Sequence, residues 1–300
     1  MPELPEVETL VRQLRPLVRG ARIERASIID PRWCAPQQPA AVAAALTGLR
    51  IEELSRRGKY LIWRLEGGRC LLQHLRMTGV ILYDPPQLPA HLVAVLELSW
   101  PDARGAGARR RLRLAVSDAR RFGTAEIFDD PRALERHLAW RLGPEPLEGS
   151  FSAAGLKAAL RGRRAPVKAL LLDQRLVAGV GNIYADEALF RAGIHPARAA
   201  GSLTLAQCEA LLQALREALL AGVSARGASI DDFRHIDGVR GSFQDRFLVH
   251  RRAGQPCPAC GGQIEKLRVA GRGTYVCARC QPPPRRRSAG ARAARPAPER

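Results

Sequence analysis

Cys257-Pro258-Ala259-Cys260 and, after sixteen intervening residues, Cys277-Ala278-Arg279-Cys280 are the pattern from which the fold can be read. Two Cys-x-x-Cys knuckles at this separation place four thiolates around one zinc ion at the turns of a β-hairpin. Four protein ligands leave no coordination position for water, so the zinc expected on Cys257, Cys260, Cys277 and Cys280 is structural. Four reduced cysteines in a core would not explain the polar, glycine-rich flanks of both knuckles. Between them Lys266, Arg268 and Arg272 put positive charge on the hairpin, suited to gripping phosphates.

The charge extends far beyond the hairpin. Lys and Arg number 48 against 29 Asp and Glu, a formal net charge of +19 with a pI near 11.0, which points to a polyanionic partner, nucleic acid first. The last twenty residues hold six arginines and one glutamate, so 19 − 5 leaves +14 on the remainder. Residues 282–300 have no core-forming side chains and read as a disordered basic tail. No apolar run reaches the length of a membrane span, and the acidic start lacks a signal peptide's form. The chain reads as cytoplasmic, with no membrane partner and no need to oligomerise, hence a monomer. Cys34, Cys70 and Cys208 are scattered, and that odd remainder argues against a disulfide framework.

Working back from the finger, expected over 246–281, the periodicity over 151–245 is helical, with helices predicted at 152–161, 166–172, 183–192 and 204–222. Residues 224–244 contain Gly227, Gly238 and Gly241 and read as a mobile loop able to cover a substrate. Val177-Ala178-Gly179-Val180-Gly181-Asn182-Ile183-Tyr184 sets two glycines before a helix with Asn182 as its expected N-cap, where free N–H groups would bind a phosphate. An ordinary capped glycine turn reads the same way. Lys168 would contact the same backbone, or is a solvated lysine.

Residues 131–150 turn to proline, charge and glycine and read as a linker, with 132–142 able to be helical. Residues 1–130 carry short alternating runs at 22–29, 60–65, 70–75, 80–83, 92–98, 112–116 and 124–128, expected as a β-sandwich or barrel. Arg56-Arg57-Gly58-Lys59 precedes a strand and brings Lys59 within reach of a phosphate or sugar. His74-Leu75-Arg76-Met77-Thr78-Gly79 and Asp118-Ala119-Arg120-Arg121-Phe122-Gly123 each enter a turn with a long side chain at the tip. Met and Phe can wedge between base pairs and Arg can hydrogen-bond an unpaired base, although singly they are as readily core or surface residues.

The chain opens Met1-Pro2-Glu3-Leu4-Pro5-Glu6-Val7-Glu8. Removal of Met1 would make Pro2 a secondary amine, and α-amino groups titrate at roughly pH 8, well below lysine. Adding to a sugar aldehyde carbon, it can form only a cationic iminium, which favours elimination next door, with Glu3 placed to move protons. A helix N-terminus with proline in its first turn and carboxylates on the dipole is the plainer reading. Leu4, Val7, Leu10, Val11, Leu14 and Leu17 predict that helix, stopping at Gly20.

Together, Pro2-Glu3-Leu4-Pro5-Glu6, Arg57-Gly58-Lys59, residues 74–79, Arg120-Arg121-Phe122-Gly123, residues 179–184 and the four-cysteine hairpin resemble the formamidopyrimidine-DNA glycosylase family. The resemblance covers nearly the whole chain outside the tail. It implies an α+β protein: an N-terminal β-sandwich with an N-terminal helix, an all-α helix-two-turn-helix domain and a zinc finger, with damaged duplex DNA in the cleft. It further implies a bifunctional glycosylase and AP lyase of base excision repair that removes oxidised purines and nicks the strand by β,δ-elimination. In that reading Pro2 is the nucleophile, Glu3 the acid/base and Glu6 and Lys59 its neighbours. Lys59, His74, Asn182 and Arg272 contact phosphates and the damaged nucleotide, and Lys168 is a further DNA-binding residue. Met77, Arg121 and Phe122 fill the gap left by the flipped base, Arg121 facing the orphan cytosine. Ala119, Arg76 and His250 depart from the family's usual proline, glycine and aromatic residue. Leu4, where the endonuclease VIII branch has glycine, favours purines over the alternative, oxidised pyrimidines. A zinc-ribbon DNA-binding protein without catalysis is the other alternative, which needs neither Pro2 nor Glu3.

Overall fold

The structure, a computed structural model, describes residues 1–100, 110–230 and 233–284. The tail expected over 282–300 therefore lies largely outside the described residues.

Helix α1 (Leu4–Val18) is amphipathic as its spacing requires, with Leu10, Val11 and Leu14 wholly buried. It ends two residues before Gly20, whose φ of 79° turns the chain out of the helix. Strand β1 (Arg22–Ile28), helix α2 (Pro39–Leu46) and strands β2 (Ile51–Arg57), β3 (Tyr60–Leu65), β4 (Cys70–His74), β5 (Gly79–Tyr83), β6 (Leu92–Trp100), β7 (Arg110–Asp118) and β8 (Thr124–Phe128) follow. They form two four-stranded antiparallel sheets in the orders β1-β6-β7-β5 and β2-β3-β4-β8. Leu61, Trp63 and Leu71 of one sheet share a core with Leu96, Leu98 and Leu114 of the other, and with the buried face of α1. Strand β2 has no clean alternation because it is an edge strand with a register shift between Ile51 and Glu53, and only Ile51 and Leu54 are buried. That explains why periodicity alone does not announce it.

Within residues 131–150, Asp130 caps helix α3 (Pro131–Ala139) by accepting from Ala133 N–H at 2.8 Å. Leu134 and Leu138 of α3 cover Ile62 and Leu72 on the outer face of the second sheet. This sheet is buried on both sides, so β3 and β4 read as nearly continuous apolar runs.

The helical domain comprises α4 (Ala153–Leu160), α5 (Val167–Leu171), α6 (Asn182–Arg191) and α7 (Leu205–Ser224). Thr204 and Gln207 close the start of α7 reciprocally, with N–H to side-chain oxygen distances of 3.0 and 3.2 Å. Its core includes Tyr184, Leu189, Leu211 and Leu219, and also Leu4 from the start of α1. Helix α1 is thus shared by both cores. The 224–244 loop is joined across the cleft in the same way: Phe233 and Ile236 enter the sandwich core, and Tyr83 N–H donates to the Ile236 carbonyl at 2.9 Å. Strands β9 (Glu265–Val269) and β10 (Arg272–Val276) form the C-terminal hairpin, turning through Ala270 and Gly271 at φ 48° and 76°.

Leu10→Ala should lower stability by about 3 kcal/mol, since a fully buried leucine is removed from a packed core. An unchanged thermal midpoint in that variant would show that α1 does not belong to the sandwich core.

Candidate active site

Between the sandwich and the helical domain lies a cavity of about 390 Å³, whose wall includes Met1, Glu3, Lys59, Met77, Asn182 and Arg272. Pro2 is buried beside it. Glu3 precedes α1, and its Oε1 accepts the backbone N–H of Ile183 at 3.0 Å. A carboxylate from the beginning of the chain thereby satisfies the start of α6, where the helix dipole favours negative charge. Its Oε2 is buried without a hydrogen-bond partner among the described residues.

This arrangement corrects the expected role of Asn182. Gly181 holds the cap position and Asn182 is the first helical residue. A Cβ on Gly181 would stand 2.3 Å from Glu3 Cδ, so any side chain at the cap would expel Glu3. The Asn182 amide instead donates to the Gly273 carbonyl at 3.0 Å. Gly179, at φ 85°, is held as closely: a Cβ there would lie 2.7 Å from Leu4 Cβ, and Leu4 N–H donates to the Gly179 carbonyl at 3.0 Å.

Glu6 lies one turn along α1, fully enclosed. Its Oε2 accepts Glu3 N–H at 2.8 Å, and its Oε1 accepts the Tyr184 hydroxyl at 2.8 Å and Ala228 N–H at 2.7 Å. Burial, reinforced by the charge of Glu3, pushes its carboxyl up to about 7 against those three donors. Lys59 is 5% exposed, and burial pulls its ammonium down while Glu3 and Glu6 oppose the shift. His74 is pulled down to about 3 by burial, then by Arg76 and Lys59, and so is neutral at pH 7. Its Nδ1 accepts Arg76 N–H at 2.9 Å, which leaves the ring proton on Nε2. Arg76 takes φ 54°, the left-handed conformation in which the usual glycine would be unstrained.

Lys168 is placed differently from the expectation of a DNA contact. It is 0% exposed, with Nζ 2.7 Å from Asp186 and donating to the Gly273 carbonyl at 3.0 Å and Thr274 Oγ1 at 2.7 Å. All three of its protons are directed at protein oxygens. Burial pulls its pKa down and Asp186 counters that shift. Lys168 and Asn182 therefore both hold the start of β10, at Gly273 and Thr274. His250, one of the departures, donates from Nδ1 to the same Asp186 carboxylate at 2.9 Å.

Met77, on the cavity wall, and Phe122, in the turn that follows β7, are exposed, 37% and 53%. Arg121, read as the residue facing the orphan base, does not share that position. Its guanidinium is bound by the buried carboxylate of Asp30, which Arg32 also clasps, and its backbone is left-handed at φ 56°. Those arginines, Arg32 first, hold the Asp30 carboxyl far below the usual carboxylate range. The free arm in this turn is Arg120, exposed, with its guanidinium 4.8 Å above the Phe122 ring. Asp118 braces both wedge turns: its carboxylate accepts Gly123 N–H at 2.6 Å, Arg120 N–H at 3.2 Å and the Thr78 hydroxyl. The sequence signal for this was an aspartate at a strand end before a turn.

The ligand sulfurs of Cys257, Cys260, Cys277 and Cys280 all lie within 4.8 Å of one another. Pairs at 3.5 and 3.8 Å match the edges of a tetrahedron whose metal–sulfur distance is about 2.3 Å. The donor set and spacing fit zinc.

Three family models match the chain in order. They are the formamidopyrimidine-DNA glycosylase N-terminal domain over residues 1–125, the H2TH domain of the same glycosylase over 142–234, and the zinc finger found in FPG and IleRS over 254–283. The chain belongs to the formamidopyrimidine-DNA glycosylase family. A formamidopyrimidine-DNA glycosylase of Symbiobacterium thermophilum is 46% identical over 299 residues, 99% of this chain and 94% of the relative. One of Cereibacter sphaeroides is 43% identical over 295 residues, 94% of this chain and all of the relative. Among solved structures, the MutM (FPG) protein of Thermus thermophilus superposes with a TM-score of 0.80 at 45% identity, covering 93% of this chain and 98% of that one. The Lactococcus lactis Fpg in complex with DNA containing an abasic site gives 0.83 at 33% identity, with 94% and 100% covered.

The raised pKa of Glu6 has a signed consequence for stability. Between 4.5 and about 7 the native state holds a proton that the unfolded chain releases, so Glu6's favourable contribution is full below 4.5 and lost as pH rises through about 7. Relative to Glu6→Gln, which does not titrate, the protein should lose up to about 3 kcal/mol between acidic and mildly alkaline pH. A stability gap independent of pH would mean that Glu6 stays ionised throughout.

Proposed function

We propose that the chain is a bifunctional DNA glycosylase and AP lyase that excises oxidised purines from duplex DNA and nicks the strand through a Schiff base on Pro2. The observation that carries this reading is the setting of Glu3. One carboxylate oxygen is fixed on α6 and the other is unpaired, adjacent in sequence to Pro2 and in a cavity shared with Lys59 and Arg272. A DNA-binding module without catalysis has no use for a buried, half-paired carboxylate at its N-terminus.

Met1 lines that cavity, so its removal would bare the Pro2 amine beside it. Its lone pair adds to the sugar C1′ as the damaged base departs with the amine's proton, and the C1′–O4′ bond then breaks, O4′ taking a solvent proton relayed through Glu3, to give the iminium. The cation acidifies the C2′ hydrogen. Glu3 takes that proton, the C2′–C3′ double bond forms and the 3′ phosphate leaves; a second elimination expels the 5′ phosphate. Lys59, on the cavity wall with Glu3, is suited to balancing the departing phosphate's charge, and Arg272 to holding the backbone. The base must leave the stack for C1′ to be reached. We assign Met77 and Phe122 to the vacated space, and Arg120, rather than the anchored Arg121, to the orphan base. Leu4 lies in the helical core rather than on the cavity wall, so the choice of purine over pyrimidine is assigned to other residues.

The four cysteines would hold one structural zinc, closing a hairpin too small to have a core of its own. We propose the units 1–130, 151–245 and 246–281, joined by 131–150, working as a monomer on bacterial DNA in the cytoplasm. No helix among the described residues is long and apolar enough to cross a membrane.

On duplex DNA with an oxidised guanine opposite cytosine, borohydride should trap the protein on the nicked strand without added metal, the adduct mapping to Pro2. Glu3→Gln should still bind the lesion but excise it at least about a hundredfold more slowly. An adduct on Lys59, or full activity with Met1 retained, would sink the mechanism. Chelation of zinc, or Cys257→Ser, should abolish DNA binding while the sandwich stays folded; metal-free protein that keeps its affinity would count against a structural zinc.

A further inference from the structure

The stretch Gly143-Pro144-Glu145-Pro146, which composition marks only as linker, contains a carboxylate that is 2% exposed. Glu145 Oε1 accepts Gly58 N–H at 2.5 Å and Arg56 Nη1 at 3.0 Å, and Oε2 accepts the same Nη1 at 2.9 Å. Arg57 Nη1 lies 3.0 Å from Oε1 as an ion pair, and Arg57 Nη2 donates to the Gly143 carbonyl at 2.6 Å. Every group around the carboxylate is therefore a donor, two of them cationic. Its backbone hydrogen bond falls on Gly58, which is at φ 58° and directly precedes Lys59. On its other side the same stretch holds the loop behind Glu3: Gly143 N–H donates to the Gln174 carbonyl at 2.8 Å and Ala178 N–H to the Pro144 carbonyl at 3.0 Å. Gln174 in turn accepts Gly179 N–H at 2.9 Å.

We propose that Glu145 is a positioning residue for Lys59, its ionised carboxylate fixing the Arg56-Arg57-Gly58 turn so that the Lys59 ammonium is delivered into the cavity beside Glu3. This rests on the reading that Lys59 acts in strand cleavage. A plain interdomain tie would require only the arginine contacts. The hydrogen bond to the backbone of the residue before Lys59 is what aims the turn. Glutamine cannot replace the carboxylate: its amide would turn N–H groups toward the arginines, leaving Arg57 without its anion and Arg56 with Glu8 alone, 3.1 Å from its Nε.

The test is a double-mutant cycle on the full-length, zinc-loaded protein with Met1 removed, read as single-turnover nicking of a duplex carrying one abasic site. Lys59→Met should slow nicking by roughly a hundredfold or more. Glu145→Gln should slow it by about ten- to a hundredfold, the cost of a misplaced group. The double variant should be no slower than Lys59→Met alone, within about twofold, because Glu145 acts through Lys59. Losses that multiply would overturn the proposal and leave the role of Lys59 intact. A harmless Lys59→Met with an impaired Glu145→Gln would overturn both. Thermal midpoint and zinc content accompany each variant. Should Glu145→Gln not fold, Arg57→Lys, which keeps the charge but loses the fork to Gly143 and Glu145, should show the same non-additivity with Lys59→Met, and multiplying losses there would equally overturn the proposal.

Discussion

The hydrogen bond from Ile183 N–H to the Glu3 carboxylate constrains everything around it. Two helices from opposite parts of the chain, α1 and α6, begin at nearly the same point, and a helix start is rich in unpaired N–H groups and in positive potential. One carboxylate serves both demands. It can do so only because position 181 has no side chain, since a Cβ there would overlap the Glu3 carboxyl carbon. The sandwich and the helical domain are consequently joined at the residue proposed to move protons, and a shift of one domain displaces the carboxylate directly. Leu4, one residue on, repeats the join in apolar form by entering the helical core.

Around that point burial shifts Glu6, Lys59 and His74 away from their ordinary titration ranges. Glu6 is lifted to about 7 by desolvation and by Glu3, while Lys59 and His74 are pulled down. Two carboxyl groups this near one another cannot both ionise cheaply. The proton that Glu6 holds relieves that repulsion. The three donors to Glu6 come from Glu3, from Tyr184 on α6 and from Ala228 in the 224–244 loop. The protonation of Glu6 is thereby tied to the loop over the cavity as well as to the helix beneath it.

Much of this was legible in the sequence, and what was not has identifiable causes. The strands of the sandwich, the helices and the zinc hairpin follow from periodicity and from cysteine spacing, because each is a repeating local pattern. Strand β2 escaped because an edge strand with a bulge buries only Ile51 and Leu54. Asn182 was read as a cap from its neighbours in sequence, whereas the cap came from Glu3, 180 residues away. Lys168 near a helix start and Arg121 in a turn both suggest DNA contacts in the sequence; in the structure their partners are Asp186 and Asp30, neither near in sequence. Glu145 had no signal at all, as a single carboxylate among prolines looks like solvated linker until its donors are seen. Local pattern carries the fold, while the assignment of each charge depends on long-range pairing.

The same long-range pairing explains how a hairpin at the far end of the chain can belong to a site built around residue 3. Gly273, two residues past the hairpin turn, gives its carbonyl to both Lys168 on α5 and Asn182 on α6, and Thr274 receives the Lys168 ammonium as well. Arg272 is thus held one residue from a carbonyl clamped by two helices, with Asp186 neutralising Lys168 beneath it. A further carboxylate on α6, Glu187, accepts the N–H groups of Leu248, Val249 and His250 and so fixes the segment leading into the finger. Sulfur ligation can close the hairpin on itself, but it does not aim it. The direction in which Arg272 points is set by buried charges on the helical domain, the same helix whose first turn holds Glu3. Glu3 and Arg272, from opposite ends of the chain, are thus both positioned against one element, α6.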